Sequence, residues 1–288
     1  MVANRLKPLA SLLSTETWYR HFVTPEIEAL IARMPKPVGS FGYDAWGYNE
    51  DSAMLGLGVI KWFYDHYFHV SVEGLEHVPA NGRVLVIANH SGQLPIDGLL
   101  IGCALATNPH GPRAPRAMVE RFLPTVPWLG SVLAGIGAVI GDPHNCVKML
   151  EQDEAIIVFP EGVRGSGKLW RQRYQLQRFG SGFMHLAMQT DTPIVPVGVV
   201  GCEETMPSIA NLSPLARLLG IPYLPLTTPI PLPARVSLHF GAPLRFDRTA
   251  TSEEEVTGRV ETVKTEIASL IRRGLQARKQ VFGMPRHD

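Results

Sequence analysis

Hydrophobic and polar positions follow two different periods along the chain, and the change falls near residue 70. Before it the pattern is helical. Thr24-Pro25-Glu26 reads as a helix start, with Thr as N-cap and Pro at the first helical position. Residues 34–48 carry prolines, glycines and aromatics, the texture of a connector, and residues 51–68 form an apolar helix ending in Trp62, Phe63, Tyr64, Tyr67 and Phe68. After residue 70, short β-branched runs alternate with helical stretches. Residues 83–89, 155–159 and 194–200 are almost continuously apolar, as strands covered on both faces are, and residues 236–240 alternate. Between them residues 97–106, 144–152 and 179–189 read as helices, with a short helix at 129–134 and a buried strand at 137–140. Ser252-Glu-Glu-Glu255 predicts a capping box opening a last helix with Val256, Val260, Val263, Ile267, Leu270 and Ile271 on one face. The basic end of that helix, Arg272, Arg273, Arg278 and Lys279, suits its dipole. The expected architecture is α/β: a mainly parallel β-sheet flanked by helices over residues 70–288, preceded by an N-terminal helical segment over residues 1–69.

Composition narrows the function classes. In 288 residues, 27 Lys+Arg balance 26 Asp+Glu for a net charge of +1, which argues against a nucleic-acid binder held by a basic face. Charged residues are only 18% of the chain, against roughly 25% in an average soluble protein. Two uncharged stretches account for much of this, residues 122–141 and 218–234. Pro124, Pro127, Gly130, Gly135, Gly137 and Gly141 break the first, and Pro222, Pro225, Pro229, Pro231 and Pro233 break the second, so neither is expected to span a membrane. The apolar run near the N-terminus is interrupted by Pro8, Ser11 and Ser14, and no signal peptide is expected. Together with the aromatics of residues 62–68, the two stretches predict either plain core or an apolar rim and tunnel dipping into one leaflet, hence peripheral (monotopic) attachment at the cytoplasmic face of a membrane. Cys103, Cys146 and Cys202 are widely spaced and odd in number, which excludes a disulfide scaffold and fits a reducing compartment.

Candidate chemistry gathers where buried strands deliver the chain into loops. Asn89-His90-Ser91-Gly92-Gln93-Leu94-Pro95-Ile96-Asp97 follows the first apolar run. A strand-end histidine there can act as a general base, with Asp97 fixing its tautomer; equally, His90 can be a satisfied polar residue and Asp97 a helix-start charge. The second junction, Phe159-Pro-Glu161-Gly162-Val-Arg164, continues through Lys168, Arg171, Arg173 and Arg178 with no acid from 162 to 178. That suits a phosphate-bearing ligand or, equally, a solvated basic face. Gly162 to Lys168 matches G-x-x-x-x-G-K, but Leu169 stands where a phosphate-binding loop needs Ser or Thr for magnesium. There is no G-x-S-x-G, and His66 and His69 lack the acids of a metal site, so no metal is expected.

Taken together, a strand-end Asn-His with a following Asp and then Phe-Pro-Glu-Gly-x-Arg resembles the glycerolipid acyltransferase family, which includes lysophospholipid and glycerol-phosphate acyltransferases. The strand with internal Pro, Ile194-Val-Pro-Val-Gly198, resembles the family's last block, and the likeness covers roughly residues 70–245. Two departures stand out. The family's usual four-residue spacing from His places Pro95 where the acid should be, and the acid here is Asp97. The second family block usually carries an Arg after its strand, whereas residues 137–142 have none. His-Ser-Gly-x-Leu-Pro-x-Asp is closer to the branch of monoacylglycerol/diacylglycerol acyltransferase-like proteins.

The resemblance implies transfer of a fatty acyl group from acyl-CoA or acyl carrier protein to a hydroxyl of a glycerolipid or lysophospholipid, with no cofactor beyond that co-substrate. It implies His90 as base and Asp97 as its partner, without a covalent acyl-enzyme. Glu161, Gly162 and Arg164 would bind the acceptor head group, and backbone N–H groups near Gly162 or Ser91–Gly92 would hold the oxyanion. Lys168, Arg171 and Arg173 would meet the phosphates of coenzyme A or an acidic carrier protein. Two alternatives use the same fold: a thioesterase or lipid hydrolase that employs water, and a non-catalytic lipid-binding protein.

Overall fold

The computed structural model describes residues 15–34, 36, 38–91, 94–120, 129–212, 224–248 and 252–282. Its centre is a seven-stranded sheet of β1 (Ser71–Glu73), β2 (Val84–Ala88), β3 (Arg116–Val119), β4 (Val139–Ile140), β5 (Ala155–Val158), β6 (Ile194–Val200) and β9 (Ser237–Phe240), in the order β1-β9-β6-β2-β5-β3-β4. Strands β2 to β6 run parallel; β9 is antiparallel to β6 and carries β1 parallel to itself. A separate ribbon pairs β7 (Ala210–Asn211) with β8 (Pro225–Leu226).

The continuous apolar runs follow from helices on both faces. In β2 every residue is buried, Val84, Val86 and Ala88 in one core cluster and Leu85 and Ile87 in the other. The first cluster packs under α4 (Ile96–Ala106). The second packs under α6 (Pro143–Glu151), α8 (Gly182–Thr190) and α10 (Glu253–Ala277). Intervening short elements are α5 (Leu129–Gly135), α7 (Val163–Ser166) and α9 (Cys202–Thr205), and the N-terminal helices are α1 (Thr15–Phe22), α2 (Pro25–Ala32) and α3 (Glu50–Trp62).

The apolar face expected for α10 is buried in full, and Val263, Ile267 and Leu270 have no exposure. Each such side chain contributes about 1.5–3 kcal/mol by burial. Gly198 in β6 permits the close approach, because a Cβ there would sit 2.7 Å from Leu270 Cβ. Ser252 caps α10 by accepting from Glu255 N at 3.2 Å. The basic end departs from expectation. The helix ends at Ala277, and Arg278 turns back to Glu204 Oε1 at 2.8 Å instead of serving the dipole from the last turn.

A third layer covers α4. Ile27, Ile31, Met34 and Leu57 of the N-terminal region pack on Cys103 and Ala106, so α4 is apolar all round because it is buried on both sides. Thr24 caps α2 as expected, with its hydroxyl accepting from Ile27 N at 3.4 Å. The expected 51–68 helix ends at Trp62 and closes in a π-helical turn, Phe63–Tyr67. The connector is pinned by a buried charge cluster absent from the expectations: Arg116 pairs with Asp44 and, at 3.1 Å, with Glu154, which also holds Lys36. Asp44 Oδ1 also accepts from Trp46 N and Tyr48 N at 2.8 Å. Parts of the two uncharged stretches, residues 122–128 and 218–223, lie outside the described residues.

Candidate active site

The site forms at the carboxyl edge of β2 and β5. Asn89 continues β2 with its side chain: Nδ2 donates to Val199 O at 3.0 Å and Oδ1 accepts from Val199 N at 2.7 Å, mimicking a strand pair with β6. That locks the turn at which His90 leaves the sheet. His90 Nδ1 meets Asp97 Oδ2 at 2.6 Å. Asp97 has no exposure, and it also accepts from Ser91 N and Gly98 N at 2.8 Å each. An ionised carboxylate only accepts, so Nδ1 carries the donated proton and Nε2 is left as the basic atom of neutral His90. Nε2 has no hydrogen-bond partner among the described residues. Despite the spacing two residues longer than usual, Asp97 reaches His90 from the first turn of α4, with Pro95 at the N-cap.

Burial pulls the His90 pKa down, but the charge and hydrogen bond of Asp97, aided by Glu161, more than reverse it, so the imidazole titrates above its ordinary 6.5. Phe159 stacks on the ring with centroids 4.5 Å apart.

Glu161 lies inside the protein, with 1% exposure. Its Oε1 accepts from His90 N at 2.9 Å and its Oε2 from Gln177 N at 2.8 Å, tying the β5 loop to the β2 loop. Gly165 makes this possible, since a Cβ there would sit 2.7 Å from His90 Cβ and 2.8 Å from Glu161 Cβ. Gly162, at φ 55° and ψ −145°, turns the chain beneath them and lines the cavity described below. Its N–H donates to Phe159 O at 3.0 Å and the Ser91 N–H to Asp97 Oδ2 at 2.8 Å, so these two N–H groups, in the region expected to hold the oxyanion, are engaged within the protein. Gly92 lies outside the described residues.

The basic run divides in two. Lys168 turns inward at 7% exposure, with Nζ 2.7 Å from Glu203 Oε1 and 3.7 Å from Glu161 Oε2, and so does not face donor phosphates as expected. Burial raises the Glu203 pKa, with Lys168 opposing. Arg164, Arg171 and Arg173 face outward; Arg164 donates to Arg178 O at 3.2 Å, and the Arg173 guanidinium lies 4.5 Å from the Trp170 ring centroid. Among the described residues no group of three or more His, Cys, Asp or Glu could hold a metal ion.

His90, Phe159 and Gly162 stand at one end of an apolar cavity of about 290 Å³. It runs along α4 past Gly98, Gly102 and Ala106, and its far end is walled by Ile31, Met34 and Tyr48 of the N-terminal region. From Gly98 to Ala106 the helix rises about 12 Å. The expected tunnel is lined in part by the first uncharged stretch, through Leu133, Ile136, Ala138 and Gly141, and by none of the described residues of 218–234. Its α4 wall was not expected, although Gly98, Gly102 and Ala106 recur every fourth residue, a stripe of small side chains on an otherwise bulky helix.

A buried histidine–aspartate pair thus stands at one end of an apolar cavity, on a mainly parallel sheet. The acyltransferase family matches residues 69–200. An uncharacterized protein of Mycobacterium leprae is 34% identical over 260 residues, 85% of this chain and 71% of that one. The bovine DGAT1/2-independent enzyme synthesizing storage lipids is 26% identical over 64% of this chain and 54% of its own. The crystal structure of the 1-acyl-sn-glycerophosphate (LPA) acyltransferase PlsC from Thermotoga maritima shares the fold, with a TM-score of 0.54 over 80% of each chain at 20% identity. The chain belongs to the acyltransferase family.

Proposed function

We propose that this protein moves a fatty acyl group from an acyl thioester, carried on coenzyme A or an acyl carrier protein, to a hydroxyl of a glycerolipid or lysophospholipid, with His90 as general base. The observation that carries the reading is the His90–Asp97 pair, with Nε2 unpartnered among the described residues, at one end of an apolar cavity. The acceptor O–H gives its proton to Nε2 as its oxygen attacks the thioester carbon. The C–S bond then breaks, and the departing thiolate recovers the proton from the imidazolium. Asp97 holds the productive tautomer and stabilises the charged ring; general-base help of this kind contributes about 10²–10⁴-fold. The thioester is already activated and no acyl-enzyme is needed.

Glu161 and Gly165 act as positioning residues for the His90 loop. The outward Arg164, Arg171 and Arg173 are available to phosphate groups on donor or acceptor. The cavity along α4 takes the acyl chain. Access to such lipids requires peripheral contact with a membrane, and no described helix is long and apolar enough to cross one. The test incubates purified protein with radiolabelled acyl-CoA or acyl carrier protein and a panel of glycerolipids and alcohols, with mass-spectrometric identification of products. Acceptor-dependent ester formation is expected. Acyl release that ignores the acceptor would convert the reading to a hydrolase, and lipid binding without turnover would leave a binding protein.

A further inference from the structure

The carboxyl edge of the sheet holds more than the His90 pair. Strands β2, β5 and β6 end there, and β1 begins there, because Ser71 and Val200 both pair with Ser237. The π turn before β1 therefore belongs to the same edge as the active site. The β7–β8 ribbon is fastened to it by three bonds: Trp170 N donates to Ser208 O at 2.7 Å, Leu232 N to Thr205 O at 2.6 Å and Tyr67 Oη to Pro231 O at 2.6 Å. Large apolar side chains stand exposed along this edge: Ile209 at 70%, Ile230 at 67%, Leu226 at 46% and Trp62 at 42%. Beside them Arg164, Arg171, Arg173 and Arg178 all face solvent, in a stretch with no acid from 162 to 178.

We propose that this edge docks on an anionic lipid bilayer. Ile209, Ile230, Leu226 and Trp62 enter the boundary between head groups and acyl chains, while Arg171, Arg173 and Arg178 pair with lipid phosphates. An acidic protein would satisfy the arginines but not the isoleucines, which need an apolar medium; a bilayer surface supplies both. His90, at one end of the cavity, stands on the same edge, so a lipid acceptor reaches Nε2 by rising out of the leaflet it occupies. The inference rests on the glycerolipid reading and deepens it. With a net charge of +1, attraction to the surface is local to this edge and not a property of the whole molecule.

Exposure alone does not define the face. Phe41 is more exposed, at 90%, but it sits in the connector whose Asp44 reaches Arg116, at the amino end of β3. Co-sedimentation with vesicles of phosphatidylcholine, with and without phosphatidylglycerol, tests the proposal independently of any acyl transfer. Wild type is expected to sediment with the anionic vesicles, and less so as salt is raised. The double variant Ile209→Glu, Ile230→Glu is expected to lose about tenfold or more of this binding, and Arg171→Glu, Arg173→Glu a comparable share on anionic vesicles only. Phe41→Glu is expected to bind as wild type does, and the isoleucine variant to keep its circular-dichroism spectrum and its turnover of soluble short-chain substrates. Unchanged vesicle binding by the isoleucine variant, or loss of binding by Phe41→Glu, overturns the proposal. So does a wild type that ignores vesicles and needs these arginines only for transfer from acyl carrier protein.

Discussion

Two histidine–carboxylate pairs stand among the described residues, each made through Nδ1, and they differ in their surroundings. His90 meets Asp97 at 2.6 Å, and His239 meets Glu73 at 3.1 Å. His239 also lies 3.0 Å from Ser237 Oγ through its other nitrogen, so Ser237, His239 and Glu73 stand in the order nucleophile, base and acid. Yet both ring nitrogens are thereby engaged, the Glu73 side chain is 72% exposed, and α10 packs so closely that a Cβ on Gly274 would sit 2.5 Å from His239 Nε2. Asp97 has no exposure, and the second nitrogen of His90 stands at the mouth of the apolar cavity. The proposed base thus has a desolvated carboxylate and, among the described residues, an unspent nitrogen in front of substrate-sized space; the second pair matches a triad in residue types but has neither.

That contrast can be broken most directly at the two histidines. His90→Ala is expected to lower kcat about 10²–10⁴-fold, whereas His239→Ala keeps near-normal turnover and loses about 1–3 kcal/mol of stability. Steady-state acyl transfer and urea unfolding read the two effects. Equal loss of activity in both variants would erase the distinction.

The next effect concerns pH. Asp97 raises the His90 pKa against the pull of burial. The neutral base is present only above the folded pKa, so the acidic limb of kcat/KM, which reports the free enzyme, is expected above the ordinary histidine value of 6.5. Asp97→Asn is expected to cost about 10²-fold or more in kcat and to move that limb to lower pH, because burial then dominates. A pH–rate profile checks both, and a limb that stays or rises contradicts the assignment. By linkage, the pair stabilises the fold fully below pH 6.5 and less as pH rises through the raised value, readable as a pH-dependent Tm difference from His90→Gln.

A smaller effect is expected from the cavity, which only the first pair possesses. A Cβ on Gly102 meets nothing closer than Pro115 Cγ at 3.7 Å, so Ala fits without strain while Leu intrudes into the channel. Gly102→Leu is expected to shift preference toward shorter acyl donors, with Ala intermediate, in a competition assay over donors of different length. The smallest effect belongs to the exposed partner. Glu73→Gln is expected to change stability by less than about 1 kcal/mol and leave transfer unaltered.

The contrast also separates what a linear reading reaches from what it does not. His90, Asp97 and Glu161 were legible because each lies where an apolar run stops and a helix or loop signal begins, and such junctions are local in the chain. The direction in which each side chain turns was not legible. Lys168, Arg171 and Arg173 form one basic run in sequence, yet Lys168 points inward because Glu203, arriving on the far side from β6, awaits it there. The β3 strand went unread because its four residues begin with a charge, Arg116, whose burial makes sense only beside Asp44 and Glu154.

By itself the sequence determined the α/β class, the order of buried strands and helices, the amphipathic α10 and the family's two strand-end motifs. These depend on periodicity and on caps spanning three or four residues, which any segment carries with it. Tertiary structure decided the rest: that Asp97 despite its shifted spacing reaches His90, that Glu161 braces the His90 loop from within, that small residues of α4 face a channel walled by the N-terminal helices, and that exposed apolar and basic side chains stand on the sheet edge that holds His90. Each depends on segments far apart in the chain arriving at one place. Their meeting is set by the packing of helices on both faces of a sheet, and no local pattern encodes it.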